Sequence, residues 1–255
     1  DGKALQAGTT HNFGTNFSVP FEVRYQNKEG VLEYCHETSW GVSTRLIGAI
    51  IMAHGDERGL KLPPGVAPFQ AVILPIAAHK GNVMDTCHQA FEQLKQAGVR
   101  VKLDDRDNVS PGWKFNEWEL KGVPLRLEIG PRDIQNGVAS YMRRDTFEKG
   151  TLPLDKLAEG VKGLLNDIAR EMFRIADEFR LSRTADVFNM EELGEQINVG
   201  YARAMWCGSC ECEDKIKDQT SASSRNMPFD QTPFADKCVC CGEPAGRVMY
   251  FAKAY

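Results

Sequence analysis

Residues 41–64 read GVSTRLIGAIIMAHGDERGLKLPP, a small-residue turn followed by a run that is almost wholly apolar from Leu46 to Ala53. Ser43 and Thr44 stand where a helix entrance wants hydroxyls, and Arg45 puts a fixed positive charge at that entrance. The pattern predicts a buried helix. A helix N-terminus offers free N–H groups and partial positive charge, so a guanidinium beside it makes a site for phosphate. Leu62-Pro63-Pro64-Gly65 then halts the chain, because adjacent prolines remove donors and fix φ; a domain boundary is expected at residue 65.

Upstream of this helix, Gly/Thr/Asn-rich turns alternate with two short β-like runs, FEVRYQ (21–26) and VLEYCH (31–36). Downstream, the pattern becomes strand (QAVILPIA, 70–77), helix (82–97), strand (VRVKLDD), loop, helix, then strands PLRLEIG and VASYMRR. That alternation predicts an α/β domain with a mixed sheet. The helix after Val109 has Ser110 at the N-cap and Pro111 at the first helical position. From Leu154 onward, Leu157, Val161, Leu164, Ile168, Met172, Ile175 and Phe179 recur every three or four residues, predicting a long amphipathic helix that packs in a core. After Arg183 come strand TADVF, helix NMEELGEQIN, strand YARAMW and a final strand in RVMYFAKAY; residues 218–237, DQTSASSRNMPFDQTPFADK, read as a polar, mobile loop.

A chain of 255 residues, 42% hydrophobic and 26% charged, with net charge −4, is ordinary for a folded globular protein and gives no general support for a basic nucleic-acid coat. No apolar run approaches the roughly 18 residues that span a membrane, and nothing before the first turn resembles a signal peptide, so the cytoplasm is the expected location. The start at Asp1 leads us to expect a trimmed or cleaved chain. Of eight cysteines, six (Cys207, Cys210, Cys212, Cys238, Cys240, Cys241) fall within 35 residues, which favours a metal over disulfides. Cys238 and Cys241 form a C-x-x-C-G knuckle, and Cys207 with either Cys210 or Cys212 completes four thiolates.

SWGVSTRLIGAIIMAHGDERGLKLPP, preceded by ALQAGTTHNFGTNFS, resembles motif 3 of class II aminoacyl-tRNA synthetases in the version found in prolyl-tRNA synthetases. The resemblance implies that Arg45 is catalytic and holds ATP, with Gln6, Thr9, Ser43 and Thr44 at nucleotide-contacting positions, and that His11, Trp40 and Gly41 border the prolyl pocket. His36, His54, His79 and His88 are read as structural. In the family the first two class II motifs lie upstream of ALQAGTTH, so the 255 residues alone are expected to be inactive without an N-terminal segment.

LDDRDNVSPGWKFNEWELKGVPLRLEIGPRD packs acids, bases and tryptophans around a helix and a strand, the mixture that stacks and edge-reads single-stranded RNA. It also resembles the anticodon-binding domain of this synthetase subclass. A carboxylate can accept from both guanine N1–H and N2–H, which points to Glu117 or Glu119, with Arg106, Lys114 and Arg132 at phosphates or base edges; Asp104, Asp105 and Glu128 equally suit internal pairing. Archaeal- and eukaryotic-type members carry a C-terminal module with C-x4-C spacing, so the resemblance favours Cys212 and implies structural Zn2+ on Cys207, Cys212, Cys238 and Cys241, with Tyr255 positioned toward the catalytic domain.

The expected fold is therefore α/β and α+β multidomain: the end of an antiparallel-sheet catalytic domain (1–65), an anticodon-binding α/β domain with mixed sheet (66–182) and a small zinc-binding α/β module (183–255). The implied reaction is ATP- and Mg2+-dependent activation of proline and its transfer to tRNA(Pro), by a homodimer with no membrane association. The rival reading is a non-catalytic RNA-binding derivative of a synthetase. Synthetases for threonine, glycine or histidine do not predict the cysteine module.

Overall fold

The structure is a computed structural model that describes residues 2–255. Two compact units emerge, Asp1–Ala49 together with Arg180–Tyr255, and Ile50–Phe179.

The N-terminal stretch holds two small antiparallel pairs. β1 (Thr9–Gly14) pairs with β4 (Glu37–Gly41), and β2 (Arg24–Gln26) pairs with β3 (Leu32–Tyr34) between them. Asn27 closes the inner hairpin by accepting from the N–H groups of Glu29 and Val31, an Asx turn that leaves Gly30 at φ +79°. α1 (Arg45–His54) forms where the turn-then-apolar pattern predicts it. Its burial is a correction: none of its ten residues is buried, and Ile47 is 62% exposed. An apolar helix face is buried only where another element covers it.

In Ile50–Phe179 the sheet order is β6-β5-β7-β8-β9. β5 (Ala71–Pro75) is central and parallel to both β6 (Val101–Leu103) and β7 (Leu125–Ile129), while β8 (Val138–Arg143) and β9 (Lys149–Pro153) continue antiparallel. Every residue of β5 is buried because helices cover both faces, which is why it reads as an unbroken apolar run. On one face, Ile73 and Leu127 meet Cys87 and Leu94 of α2 (Val83–Gln96) and Val161 and Ile168 of α5 (Leu157–Ser182). On the other, Val72 and Leu74 meet Trp118 of α3 (Pro111–Leu120). Ser110 caps α3 as expected, its Oγ accepting from Trp113 N. The stripe of α5 is buried through Met172, but Ile175 and Phe179 are exposed, so the core-packing expectation holds for the first four turns only. The short α4 (Pro131–Gln135), begun by Gly130-Pro131, has no periodic signal in the sequence.

The C-terminal sheet runs β10-β11-β13-β12, with β10 (Thr184–Val187) parallel to β11 (Tyr201–Trp206) and the rest antiparallel. Ala202, Ala204 and Phe251 on one face pack with Leu193 of α6 (Met190–Gln196) and Ile216 of α7 (Cys210–Thr220). The loop expectation for 218–237 is corrected in part: α7 extends to Thr220, Ser221 turns in the left-handed region at φ +60°, and β12 (Ser223–Asn226) pairs with β13 (Arg247–Ala252). Ladder pairing with β13 overrides the polar composition. Among the described residues no helix is long and apolar enough to cross a membrane.

Candidate functional site

Three groups of side chains carry chemistry. In the first, strand pairing gathers residues far apart in sequence. Thr9 lies opposite Gly41, Thr10 opposite Trp40 and His11 opposite Ser39. Gln6 Nε2 donates to Thr9 Oγ1 at 2.8 Å, and Ser43 Oγ accepts from Arg45 N at 3.3 Å in the turn that leads into α1. Trp40 is 78% exposed, an indole face with no apolar cover. The arrangement offers hydroxyls, an amide and a guanidinium along one exposed strand pair, with the N-terminus of α1 beside them, groups suited to a polyanion. The loop leading into it is tied to the chain's end: Ala4 N donates to Lys253 O at 2.8 Å and Tyr255 N to Ala4 O at 3.3 Å.

The second group surrounds Asp104, at the end of β6 and only 2% exposed. Its carboxylate accepts from Arg106 (2.8 and 2.6 Å) and from the Trp118 indole (2.8 Å), and Lys114 Nζ lies 3.7 Å away. Burial pushes the Asp104 carboxyl up, but these donors outweigh it and hold the acid well below the usual carboxylate range. Arg106 continues to Glu117 at 2.6 Å, and Lys121 takes the other oxygen of Glu117 at 2.6 Å. Hydrogen bonds from Lys121 and then Arg106 lower the Glu117 pKa.

The expected RNA contacts therefore fall into different settings. Lys114, expected at phosphates or base edges, is corrected to an internal ammonium: it is 6% exposed and donates to the Asp104 carbonyl at 3.0 Å, because its helical position faces the sheet. Glu117 carries two cations, and Glu119 meets Arg58 at 3.3 Å. Arg132 is exposed on α4. The two tryptophans divide. Trp118 is core, whereas Trp113 is half exposed with the Arg106 guanidinium 5.3 Å from its ring, a stacking surface that the sequence reading did not assign. The N-cap at Ser110 places Trp113 on the first turn of α3, and that placement was available in the sequence.

The third group is the cysteines. β11 ends at Trp206, so Cys207 leaves the sheet edge, and Gly208 turns at φ +92° where a Cβ would lie 2.6 Å from the Arg247 guanidinium. Ser209 caps α7 and puts Cys212 in its first turn. Opposite, Val239 N donates to Met205 O at 2.9 Å and Gly242 N to Cys238 O at 3.0 Å, fixing the knuckle. The thiols of Cys207, Cys212, Cys238 and Cys241 converge, all within 4.8 Å of one another. Cys207 lies 3.6 Å from Cys212 and 3.9 Å from Cys241, close to the sulfur–sulfur spacing of about 3.8 Å that four ~2.3 Å metal–sulfur bonds impose on a tetrahedron. Burial raises the Cys238 thiol, but backbone N–H donors from Cys241 and Cys240 outweigh it and bring the thiol down to about 7. Burial raises Cys212 and Cys207. The donor set fits a thiophilic metal ion, and Cys210 is exposed and outside the cluster.

Comparison with known proteins places these groups in context. Residues 70–164 match the family described as anticodon binding domain, and residues 190–255 match that described as prolyl-tRNA synthetase, C-terminal. Over its whole length the chain is 51% identical to Proline--tRNA ligase 2 of Clostridioides difficile (strain 630) and 51% identical to Proline--tRNA ligase of Alkaliphilus oremlandii (strain OhILAs), covering 53% of each. It is 48% identical to Proline--tRNA ligase 2 of Bacillus cereus (strain ZK / E33L), covering 54% of it. The chain spans about half the length of the curated relatives it matches.

Proposed function

The chain belongs to the prolyl-tRNA synthetase family, and from that premise we propose that it serves the ATP-dependent activation of proline and the transfer of proline to tRNA(Pro). The observation that carries the reading is the 48–51% identity maintained over the full chain. In this reading proline's carboxylate attacks the α-phosphate of ATP, pyrophosphate leaves, and a tRNA ribose hydroxyl then takes the prolyl group. The proposed roles are those the motif resemblance implies, and the strand register supports them by bringing these residues to one strand pair. Arg45, at the positive end of α1, neutralises phosphate charge; Gln6, Thr9, Ser43 and Thr44 hold the nucleotide with its Mg2+; His11, Trp40 and Gly41 shape the prolyl pocket. No side chain here need form a covalent intermediate.

Residues 1–65 are then the end of a class II catalytic domain, 66–182 the anticodon reader and 183–255 a zinc-binding module. Anticodon reading falls to Glu117, Glu119, Arg106 and Arg132, with Trp113 added as a stacking surface and Lys114 removed on account of its burial. Before Glu117 can accept from a guanine edge, Lys121 or Arg106 must release it, which makes the site selective for a ligand that replaces both bonds. Zn2+ on Cys207, Cys212, Cys238 and Cys241 would be structural, since four thiolates leave no open position for water. The exposed apolar residues of α1, with Trp40, suit cover by the upstream half of the relatives, which would also supply the remaining grip on ATP and the homodimer contact.

The test is ATP–pyrophosphate exchange with each amino acid in turn, on a sample whose polypeptides are identified by denaturing mass spectrometry. Exchange driven by proline when the upstream half is present, and none in its absence, is the expected result. No exchange with any amino acid, with both halves present, would overturn the reading in favour of an RNA-binding derivative.

A further inference from the structure

The C-terminal sheet has two unlike faces. One is closed by α6 and α7 over Ala202, Ala204 and Phe251. On the other, alternation along the two central strands presents Tyr201 from β11 and Tyr250 from β13, with ring centroids 6.4 Å apart and planes at 79°. Asn226 at the end of β12 lies opposite Tyr250, and Thr184 lies opposite Tyr201. The chain after β12 lifts Phe229 beside them, its ring wholly in solvent at 109% exposure. These residues and Arg180 line a cleft of about 420 Å³.

Three features of the cleft select its ligand. An edge-to-face tyrosine pair leaves one ring face open, so the corner accepts a second flat π-system by stacking. Phe229 supplies a facing wall that nothing in the described residues covers. The polar groups at the corner are uncommitted: among the described residues the hydroxyls of Tyr201 and Tyr250 and the Asn226 amide make no hydrogen bond, although Thr184 Oγ1 is satisfied by the Arg180 carbonyl at 2.8 Å. Stacking walls with an amide that both donates and accepts at the edge are what a heteroaromatic ring with mixed donors and acceptors requires. An aliphatic peptide side chain would leave those groups unpaired. Arg180 stands at the rim, and Arg203, on the same strand as Tyr201, is bound to Asp186.

We propose that this cleft, formed by Tyr201, Tyr250, Phe229 and Asn226, binds one unpaired nucleobase. The site is separate from the Asp104–Trp113 cluster and depends on the synthetase reading only for the source of the base, an RNA strand held by the same enzyme.

Saturation-transfer NMR and equilibrium dialysis of the purified protein against adenosine, guanosine, cytidine, uridine and a mixed-sequence tetraribonucleotide test the proposal. Saturation of the tyrosine rings should reach base protons, and Phe229→Ala should weaken binding about tenfold, the scale of one lost base–aromatic stack. Phe229 packs against nothing that this change would loosen, so its circular dichroism and unfolding midpoint should match wild type; Asn226→Ala, also exposed, should alter the preference among bases. Tighter binding of the tetranucleotide than of any nucleoside identifies an RNA strand as the source, and equal affinities identify a free nucleoside. No transfer to any base, or binding that both variants leave unchanged, overturns the proposal. Proline-driven pyrophosphate exchange, run in parallel with the upstream half of the relatives supplied, separates the two readings: its absence with base binding intact sinks the synthetase function and leaves the cleft, whereas the reverse result sinks only the cleft.

Discussion

β5 and α1 are both short apolar runs, yet every residue of Ala71–Pro75 is buried and none of Arg45–His54 is. The difference lies in what surrounds them. β5 has a strand on each side and helices over both faces, whereas α1, Trp40 and the β2–β3 hairpin turn apolar side chains to solvent. Hydrophobic pattern specifies a local element, but burial is a property of the partner. In the first region the chain's own residues cover the apolar run; in the second, the described residues leave it exposed.

The largest effect should come at the cysteines. Zinc-type ligation can contribute on the order of 10 kcal/mol to its module. Chelation, or Cys238→Ser, should therefore unprotect the amides of β11 and β13 while those of β5 and β7 stay protected, as read by hydrogen exchange. Uniform loss in both sheets would show that the two units share one unfolding transition.

Next comes Ile73→Ala. Ile73 is fully buried between the sheet and α2, and truncation at such a site costs about 3–4 kcal/mol. Denaturant unfolding followed through a probe in Ile50–Phe179 measures it. Asp104→Asn should follow at about 3 kcal/mol, because it leaves Lys114 and Arg106 with a neutral partner in a buried site. The sign of its pH dependence is fixed by its depressed folded-state pKa. The stabilisation is fully present above the unfolded value of about 4 and is lost as pH falls toward the lower folded value. Wild type should weaken on acidification, and the variant should show a flatter acid limb. Ser110→Ala, which removes the cap on α3, should cost about 1 kcal/mol.

What the sequence disclosed follows the same division. Helices with caps and periodicity were legible: α2 runs from Val83 to Gln96 between Asn82 and Ala97, and α3 starts after Ser110. The four metal-binding candidates were legible as cysteines, but spacing alone left Cys210 and Cys212 open; α7, with no strong periodic stripe, decides which thiol points at Cys207. Lys114 and Glu117 were not separable by residue type. Their difference is one of helical phase against β6, and the pairing that buries one and leaves the other partly accessible is tertiary. β12 was hidden because its residues are polar and its strand exists only by pairing with β13.

The smallest effect is the one that most directly tests the opening contrast. Ile47 is mostly exposed, so Ile47→Ala removes little buried area and places a better helix former in α1. Its unfolding free energy in this chain should change by no more than about 0.5 kcal/mol in either direction, against several for Ile73→Ala. With the upstream half of the relatives supplied as a second polypeptide, the same substitution should become costly, because the side chain would then leave a cavity in an interface. A cost near that of Ile73→Ala in the chain alone would mean that α1 already has a partner among its own residues, and the contrast between the two apolar runs would fail.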